Sequence, residues 1–243
     1  MIIGLIPSRL KSTRLFEKPL LKIDGLPVII HTMKRAMLSK KIDDLYVCTD
    51  SIKIAELVER HGGKYIITSS KHKNGTERIA EGLKKISINP SLVIDIQGDE
   101  PTISPKDIDE IISYHIKNLN YDIIIPHTLV DNLFNKNQVK IISTEAGKIV
   151  FLSRQNVLNR NKKLKIKKHL SVISFKPAAL KKFKKLAQTN LEKIEGVELL
   201  RALENGFLLG TTQLNSEAHA VDVKKDIIQV KKFFKKDKYR KLY

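Results

Sequence analysis

The sequence contains a single cysteine, Cys48, and no tryptophan. One cysteine excludes an internal disulfide framework, and its place in an apolar stretch fits a reducing compartment. No apolar run approaches the ~20 residues that a membrane-spanning helix needs. No basic segment precedes the apolar run that opens the sequence, as it would in a secretion signal. We therefore expect a cytoplasmic protein that neither spans a membrane nor is secreted by a standard signal.

Acidic residues are also scarce, because 26 Asp and Glu face 45 Lys and Arg, and the formal net charge is +19. Residues 151–243 carry most of this excess, and no acid occurs between Glu145 and Glu192. A basic half suggests an anionic partner, such as nucleic acid, a membrane surface or a phosphorylated substrate. The competing interpretation is a surface of solvated lysines. The hydrophobic fraction of 42% excludes a disordered chain.

The first half alternates apolar runs, typical of buried strands, with segments of helical periodicity. Strands are predicted at residues 1–6, 45–49, 64–68, 92–97 and 122–126. Helices are predicted at residues 28–38, 51–61, 76–86 and 104–118, the second capped by Ser51. This rhythm predicts an α/β fold, a three-layer Rossmann-like arrangement with a mostly parallel central sheet. Ligands bind beyond the carboxyl ends of such strands, so we expect the site in the loops after Ile6, Cys48 and Ile96.

The second half is less regular. Strands are predicted at residues 139–143, 148–153, 165–175, 207–213 and 218–221, and helices at 178–187, 197–204 and from 224 onward. Because no linker, repeat or low-complexity segment is found, we expect a single domain, 1–243. Within it we distinguish a core at 1–130, a smaller lobe at 131–215 and a closing segment at 216–243.

The loop that follows the first strand is basic and rich in hydroxyl groups. Arg9, Arg14 and Lys18 can neutralise a triphosphate, and Ser12 and Thr13 can donate hydrogen bonds to it. It is not a Walker loop, since no GxxxxGK[ST] pattern occurs. On composition alone, a solvated basic turn explains this loop equally well.

Five short motifs are more specific. Residues 6–20 resemble the pattern IPAR-x-x-STRLPGKPL, and Thr49-Asp50 follows the second strand. Residues 72–78, HKNGTER, resemble H-x-SGTER, and residues 95–101, DIQGDEP, resemble NVQGDEP. Val221-Asp222 resembles a metal-binding aspartate motif near the end of the chain. In this order and spacing, the motifs resemble those of the 3-deoxy-manno-octulosonate (Kdo) cytidylyltransferases over nearly the whole chain.

The resemblance implies a nucleotidyltransferase fold with a smaller sugar-binding and dimerisation lobe. The implied reaction is attack by the anomeric hydroxyl of a 3-deoxy-2-ulosonic acid on the α-phosphorus of CTP, for lipopolysaccharide biosynthesis. Lys18, Asp99 and Arg9 would be catalytic, and Asp99 and Asp222 would hold Mg²⁺, with Asp222 approaching from the second lobe. The implied assembly is a homodimer that binds neither nucleic acid nor a membrane.

The resemblance also assigns binding residues. Those for the nucleotide are Pro7, Ser8, Arg9, Ser12, Thr13, Arg14, Lys18, Thr49, Asp50, His72, Asn74, Gly75, Thr76, Arg78 and Gln97. Those for the sugar are Gln97, Arg154, His169, Glu198 and Leu199.

The sequence departs from the family pattern mainly on the sugar side. Ile173 stands where the family has Tyr, Leu199 replaces a sugar-binding Gln, and residues 157–159 replace an IPW-type segment. In the first loop, Phe16 and Glu17 stand where Pro and Gly are usual. These changes leave two hypotheses for the sugar, namely Kdo itself or a variant such as 8-amino-Kdo.

Three other functions stay open at this point. One is a related synthetase, for a nonulosonate or of the spore-coat type. Another is a basic nucleic-acid-binding protein, suggested by the tract at residues 231–236, although aromatic residues make up only 6% of the chain. The third is a non-catalytic relative that acts as a binding module, against which the presence of Lys18, Asp99 and Asp222 argues.

Overall fold

The structure is a computed structural model that describes residues 1–11, 15–131, 138–155 and 165–243. The chain forms two compact units. The first contains Met1–Asp109 and Ser216–Tyr243, and the second contains Glu110–Asn215. The segment from residue 216 onward therefore belongs with the first unit, and the expectation that Asp222 approaches from the second lobe is wrong. The single-domain interpretation of the whole chain stays a prediction.

The described residues contain strands and α-helices in the following chain order. The strands are β1 (Ile2–Ser8), β2 (Lys22–Ile23), β3 (Leu26–Pro27), β4 (Asp44–Thr49), β5 (Lys64–Ile67), β6 (Leu92–Ile96), β7 (Ile123–Ile124), β8 (His127–Val130), β9 (Lys140–Ser143), β10 (Ile149–Ser153), β11 (Ile166–His169), β12 (Val172–Phe175) and β13 (Leu209–Gly210). The helices are α1 (Val28–Ala36), α2 (Ile52–Arg60), α3 (Gly75–Lys85), α4 (Pro105–Lys117), α5 (Pro177–Phe183), α6 (Asn190–Glu195), α7 (Leu200–Glu204) and α8 (Asp226–Phe234). Short 3₁₀ turns span Lys18–Leu20 and Tyr239–Leu242.

The first unit contains a parallel sheet in the order β6-β1-β4-β5. Every residue of β6 and all but the first of β1 are buried, as their continuous apolar sequences predict for central parallel strands. The carboxyl ends of parallel strands share one edge of the sheet. That edge therefore carries the last residues of the four strands, Ser8, Thr49, Ile67 and Ile96. The mostly parallel sheet predicted from the sequence is confirmed.

Local signals explain where the helices of the first unit begin. The Ser51 side chain accepts a hydrogen bond from the backbone N–H of Ile54 and caps α2, as predicted. Asn74 caps α3 in the same way by accepting from the backbone N–H of Glu77. Because these caps fix the first turns, the loops that enter α2 and α3 have defined ends at the sheet edge.

An apolar cluster packs α8 against the loop that follows β1. Its buried members are Leu15, Ile23, Val28, Val221, Val230 and Phe234. Leu15 lies three residues before Lys18, and Val221 lies just before Asp222. Packing of these two apolar residues in one cluster therefore brings Lys18 and Asp222 into the same region.

The second unit contains two groups of strands. One is antiparallel, in the order β10-β9-β11-β8, and its β9–β10 pair turns near Gly147, as predicted. In the other group β7 pairs antiparallel with β12 and parallel with β13. The prediction of one continuous strand at 165–175 is wrong. Residues 170–171 belong to no strand, and β11 and β12, which flank them, join different groups.

Further differences concern which elements are present. The predicted strand at 218–221 is wrong, because these residues form no strand ladder. Four of the strands and α-helices were not predicted, namely β2, β3, β8 and α6. Among the described residues, no helix combines the length and apolar character needed to cross a membrane.

Cys48 is free and fully buried, and burial raises the pKa of its thiol to about 12.

Candidate active site

A cavity of about 190 Å³ lies at the carboxyl edge of the first unit's sheet. It is lined by Pro7, Ser8, Arg9, Lys18, Pro19, His72, Asn74, Gly75, Arg78, Gln97, Gly98 and Asp99. These residues come from the ends of β1 and β6, the 3₁₀ turn at Lys18–Leu20, and the entry into α3. The cavity lies beyond the ends of β1 and β6, where the site is predicted, although no residue of the loop after Cys48 lines it.

A lysine and two aspartates form the charged centre of the region. Lys18 Nζ lies 2.5 Å from Asp99 Oδ2 and 3.6 Å from Asp222 Oδ1. The backbone N–H of Val221 donates to the carbonyl oxygen of Asp99 at 2.9 Å and so fixes the chain next to Asp222. The two carboxylates therefore converge on one cationic group.

Thr102 adds a second attachment for the segment before Asp222. Its hydroxyl accepts a 2.6 Å hydrogen bond from the backbone N–H of His219. The same hydroxyl lies 3.3 Å from the carbonyl oxygen of His219. These side-chain bonds take the place of the strand ladder predicted at 218–221. Thr102 was missed because the sequence around it carries no signal for such a contact.

The close approach of β6 to β1 depends on Gly98. A side-chain β-carbon at this position would lie 2.7 Å from the carbonyl oxygen of Pro7, a distance that real contacts do not reach. The glycine of the DIQGDEP motif therefore lets the chain after β6 cross the end of β1. This crossing brings Asp99 to the same cavity as Arg9.

The wall on the α3 side is held by charged groups. Arg78 donates to Thr68 Oγ1 at 2.6 Å and to Asp50 Oδ2 at 3.1 Å, so Asp50 balances its charge. His72 Nε2 contacts Glu81 Oε2. Gln97 donates through its amide nitrogen to Asp95 Oδ2 at 2.9 Å, which fixes the orientation of its amide.

The structure places the predicted nucleotide residues in three groups. Those that line the cavity are Pro7, Ser8, Arg9, Lys18, His72, Asn74, Gly75, Arg78 and Gln97. Thr49 and Thr76 are fully buried and Asp50 lies behind Arg78, so these three are outside the lining. Ser12, Thr13 and Arg14 lie outside the described residues. Direct contact of any of these with a nucleotide stays a prediction.

The predicted sugar residues other than Gln97 lie in the second unit. The guanidinium of Arg154 donates to the carbonyl oxygen of Gly196 at 3.3 Å, and its backbone N–H donates to Glu195 at 2.8 Å. Burial, with smaller contributions from Arg154 and Lys168, lowers the pKa of His169 to about 4.

Glu198 is partly buried, whereas Leu199 is only 2% exposed. Ile173, another departure from the family pattern, is 4% exposed. Both apolar replacements therefore serve the core of the second unit. The departure at residues 157–159 lies outside the described residues.

Two supporting residues were missed by sequence reasoning, Thr102 and Glu81. Glu81 could have been found, because it follows Glu77 by four residues and so lies on the same face of α3. Burial raises the pKa of Glu81, but hydrogen bonds from Lys85 and His72 outweigh it and lower the value to about 2. Glu17, in the first loop, has φ of +46°, the left-handed region that a glycine adopts without strain.

Comparisons with known proteins show the family to which the chain belongs. Residues 3–225 match the family model described as Cytidylyltransferase, which defines the class of protein. The chain is 36% identical to a 3-deoxy-manno-octulosonate cytidylyltransferase of Rickettsia bellii, over 96% of each chain. It is 37% identical to that of Thermodesulfovibrio yellowstonii, over 93% of this chain and 94% of the relative. The chain belongs to the 3-deoxy-manno-octulosonate cytidylyltransferase family.

Solved structures give the same result for the fold. A structure described as CMP:2-keto-3-deoxy-manno-octonic acid synthetase complexed with CTP matches with a TM-score of 0.89 and 26% identity, over 96% of this chain and 98% of the other. A 4-diphosphocytidyl-2C-methyl-D-erythritol synthase from Anaerococcus prevotii matches with a TM-score of 0.66 at 15% identity, over 97% and 96%, and shows shared fold alone. The family and the Rossmann-like fold predicted from the motifs are confirmed.

Proposed function

We propose that this protein transfers the cytidylyl group of CTP to Kdo, giving CMP-Kdo and pyrophosphate, as a step towards lipopolysaccharide. The observation that carries the proposal is the convergence of Asp99 and Asp222 on Lys18, which lines the cavity together with Asp99, in a chain of this family. Sequence motifs, fold and charge all support the proposal of a site for a triphosphate and a metal ion.

The residues present fit Mg²⁺. This ion is usually bound through one or two carboxylates together with substrate phosphates. Asp99 and Asp222 offer two carboxylates that already share one cationic neighbour, Lys18. No cluster of three or more metal-binding side chains occurs among the described residues, which suits a site that phosphate oxygens complete. When bound, Mg²⁺ would neutralise phosphate charge and lower the pKa of the attacking hydroxyl.

The side chains themselves would act mainly by positioning and electrostatics. Lys18 and Arg9 would hold the phosphates in the cavity, and Lys18 would offset the charge that develops as pyrophosphate leaves. A mechanism of this kind needs no protein nucleophile, because the sugar hydroxyl attacks the α-phosphorus directly. The pair of Arg78 and Asp50 would keep the opposite wall rigid.

Kdo is the favoured sugar. Ile173 and Leu199 both lie in the core of the second unit, so their apolar character has a structural explanation that needs no modified substrate. Homodimer formation and the lack of nucleic-acid or membrane partners stay predictions from the resemblance, and the cytoplasmic location stays a prediction from the composition of the sequence.

The test is steady-state kcat/KM, measured by pyrophosphate release with CTP, Mg²⁺ and three sugars. We expect Kdo to be preferred over 8-amino-Kdo and over a nonulosonic acid. Preference for 8-amino-Kdo would overturn the choice of sugar, and preference for the nonulosonic acid would move the protein to another synthetase. The absence of turnover with all three would favour a binding module.

A further inference from the structure

Two polar side chains of α1, those of Thr32 and Arg35, are fully buried. Burial of such groups is costly unless each finds a hydrogen-bond partner. The Thr32 hydroxyl donates to the carbonyl oxygen of Gly98 at 3.3 Å, and Arg35 Nε donates to that of Ile103 at 2.6 Å. Gly98 and Ile103 stand on either side of Asp99 in the chain. Helix α1 therefore holds the segment that carries Asp99 from both ends.

A third buried side chain of α1, His31, holds the hairpin β2–β3, which follows Lys18. Its Nε2 lies 2.7 Å from the carbonyl oxygen of Ile23, which can only accept, so Nε2 carries a proton. Burial lowers the pKa of His31 to about 4, so at neutral pH the ring is uncharged and Nδ1 is an acceptor. The Tyr243 hydroxyl, 3.1 Å from Nδ1, is therefore the donor of the second bond. One imidazole thus connects the hairpin after Lys18 to Tyr243.

Residues 237–243, here called the clasp, contact both α1 and this hairpin. Asp237 pairs with Arg35, and the two side chains are only 4% and 1% exposed. Arg240 donates to the carbonyl oxygen of Asp24, in the turn of the hairpin, at 3.1 Å. The clasp, all of which the structure describes, contributes no residue to the lining of the cavity. It therefore reaches the helix and the hairpin that hold site residues without forming part of the cavity itself.

The clasp also follows α8, which packs in the apolar cluster described above. Phe234 of α8 belongs to that cluster, and its ring centroid lies 4.7 Å from that of His31. Val221, next to Asp222, belongs to the same cluster. Packing thus links the clasp to Asp222, while the hydrogen bonds of α1 link it to the chain on either side of Asp99.

We propose that the clasp positions the charged centre for catalysis, because through α1, the hairpin and α8 it sets the spacing of the lysine and the two aspartates. Its positioning residues are Asp237, Arg240 and Tyr243. This inference rests on the proposed function for the reaction itself. A displacement of about 1 Å, even from a substitution far from the chemistry, can lower a rate by about 100-fold. Loosening the clasp should therefore lower kcat in a protein that stays folded.

The first measurement is kcat for pyrophosphate release with CTP, Mg²⁺ and Kdo. Tyr243→Phe keeps the ring but removes the hydroxyl that donates to His31, and should lower kcat about tenfold, the low end of the range for a supporting partner. Arg240→Gln, which loses the bond to the hairpin, should have a similar effect. Tyr46→Phe is the matched control and should keep kcat, because it removes a hydroxyl bonded to Asp44 at 2.6 Å in the same unit, outside the cavity lining.

Hydrogen exchange provides a readout that a general loss of stability would not reproduce. The backbone N–H groups of Val221 and Val28 are hydrogen-bonded in the segments that the clasp holds. Both should exchange about tenfold faster in Tyr243→Phe, the factor that corresponds to one lost hydrogen bond. The N–H of Thr68, which is hydrogen-bonded at the same sheet edge but after β5, should keep its rate.

Two results would overturn the proposal. One is equal acceleration of all three N–H groups, which would show that the clasp contributes only to overall stability. The other is unchanged exchange at Val221, or unchanged kcat in both clasp variants. Because hydrogen exchange is measured without substrates, it decides whether the clasp holds these segments even if the unmodified protein does not turn over Kdo, a result that would overturn the proposed function instead.

Discussion

The two units use their charged side chains differently. In the first unit Asp99 and Asp222 converge on Lys18 beside the cavity, and the side chains of the two aspartates stay about one-third exposed, at 32% and 31%. In the second unit, Arg201 and Glu192 form a two-point ion pair whose side chains are only 3% and 4% exposed. The charges of the first unit therefore stay accessible to a ligand, whereas the buried pair in the second unit stabilises the fold.

This difference explains why net charge is a poor guide to function. Residues 151–243 carry most of the excess positive charge, yet the charged groups at the cavity belong to the first unit. Buried ion pairs contribute to uniqueness and stability only when both partners remain. Accessible pairs of opposite sign can exchange partners when a phosphate or a metal ion arrives. Substitutions in the two units should therefore affect different properties.

The largest effect on stability is expected from Arg201→Ala. Because Glu192 would be left buried without its partner, the free energy of unfolding should fall by about 3–5 kcal/mol. Urea denaturation followed by circular dichroism measures this change. Lys193→Ala, an exposed neighbour on α6, should change stability by less than about 0.5 kcal/mol. Equal losses of unfolding free energy in both variants would show that the ion pair of Arg201 with Glu192 does not stabilise the fold.

Asp99→Asn should instead act on catalysis. Loss of one of the two convergent carboxylates should lower kcat by about 10²–10³-fold, the range seen when one charge-stabilising group is removed. Thermal unfolding should change little, because Asp99 is part-exposed and its partner Lys18 keeps a second carboxylate, that of Asp222. Pyrophosphate release at saturating CTP and Kdo is the measurement, with Glu59→Gln, exposed on α2, as control. If the Asp99→Asn variant were stable and fully active, Asp99 would have no role in the active site.

Buried histidines predict how stability depends on pH. Burial lowers the pKa of His31 in the first unit and His127 in the second to about 4. Since the unfolded chain binds these protons more readily, stability is present above pH ~6.5 and is lost as pH falls towards the folded value. Between pH 7 and 5 each histidine should cost about 2 kcal/mol.

His127→Gln tests this in the second unit, because Thr211 Oγ1, 2.7 Å from His127 Nδ1, keeps a neutral partner. Urea denaturation at pH 7 and pH 5 should show a shallower loss of stability than in the unmodified protein. An unchanged pH dependence would show that His127 does not contribute to it.

The smallest effect is expected at Glu17, in the first loop. Its φ of +46° disfavours a residue with a side chain, and its ion pair with the Lys53 side chain is exposed. Glu17→Gly should therefore be more stable than Glu17→Ala by about 1 kcal/mol. Differential scanning calorimetry of the two variants measures the difference. If Glu17→Ala were the more stable, the left-handed conformation would not be strained.

Much of the first unit could be predicted from its sequence, because local signals and tertiary packing agree there. The apolar run of β1, the cap at Ser51 and the DIQGDEP turn each predicted an element or a site residue that the structure contains. Parallel topology then placed the strand ends, and hence Arg9 and Asp99, at one edge.

The rest depended on contacts that no local pattern encodes. The segment before Asp222 is held by Thr102 and by the backbone of Asp99, more than a hundred residues away in sequence, and not by a strand ladder. The run at 165–175 is apolar enough for one strand, yet its two halves pair with different partners. The predicted sugar residue Leu199 is instead buried in the core.

The central claim is that the first unit's charges direct attack of a sugar hydroxyl at the α-phosphorus of CTP. ³¹P NMR of CTP and Kdo incubated with the protein and Mg²⁺ tests this most directly. We predict equal amounts of pyrophosphate and of one phosphodiester, CMP-Kdo, as CTP disappears. Formation of CDP with orthophosphate, or an unchanged CTP spectrum, would contradict the account.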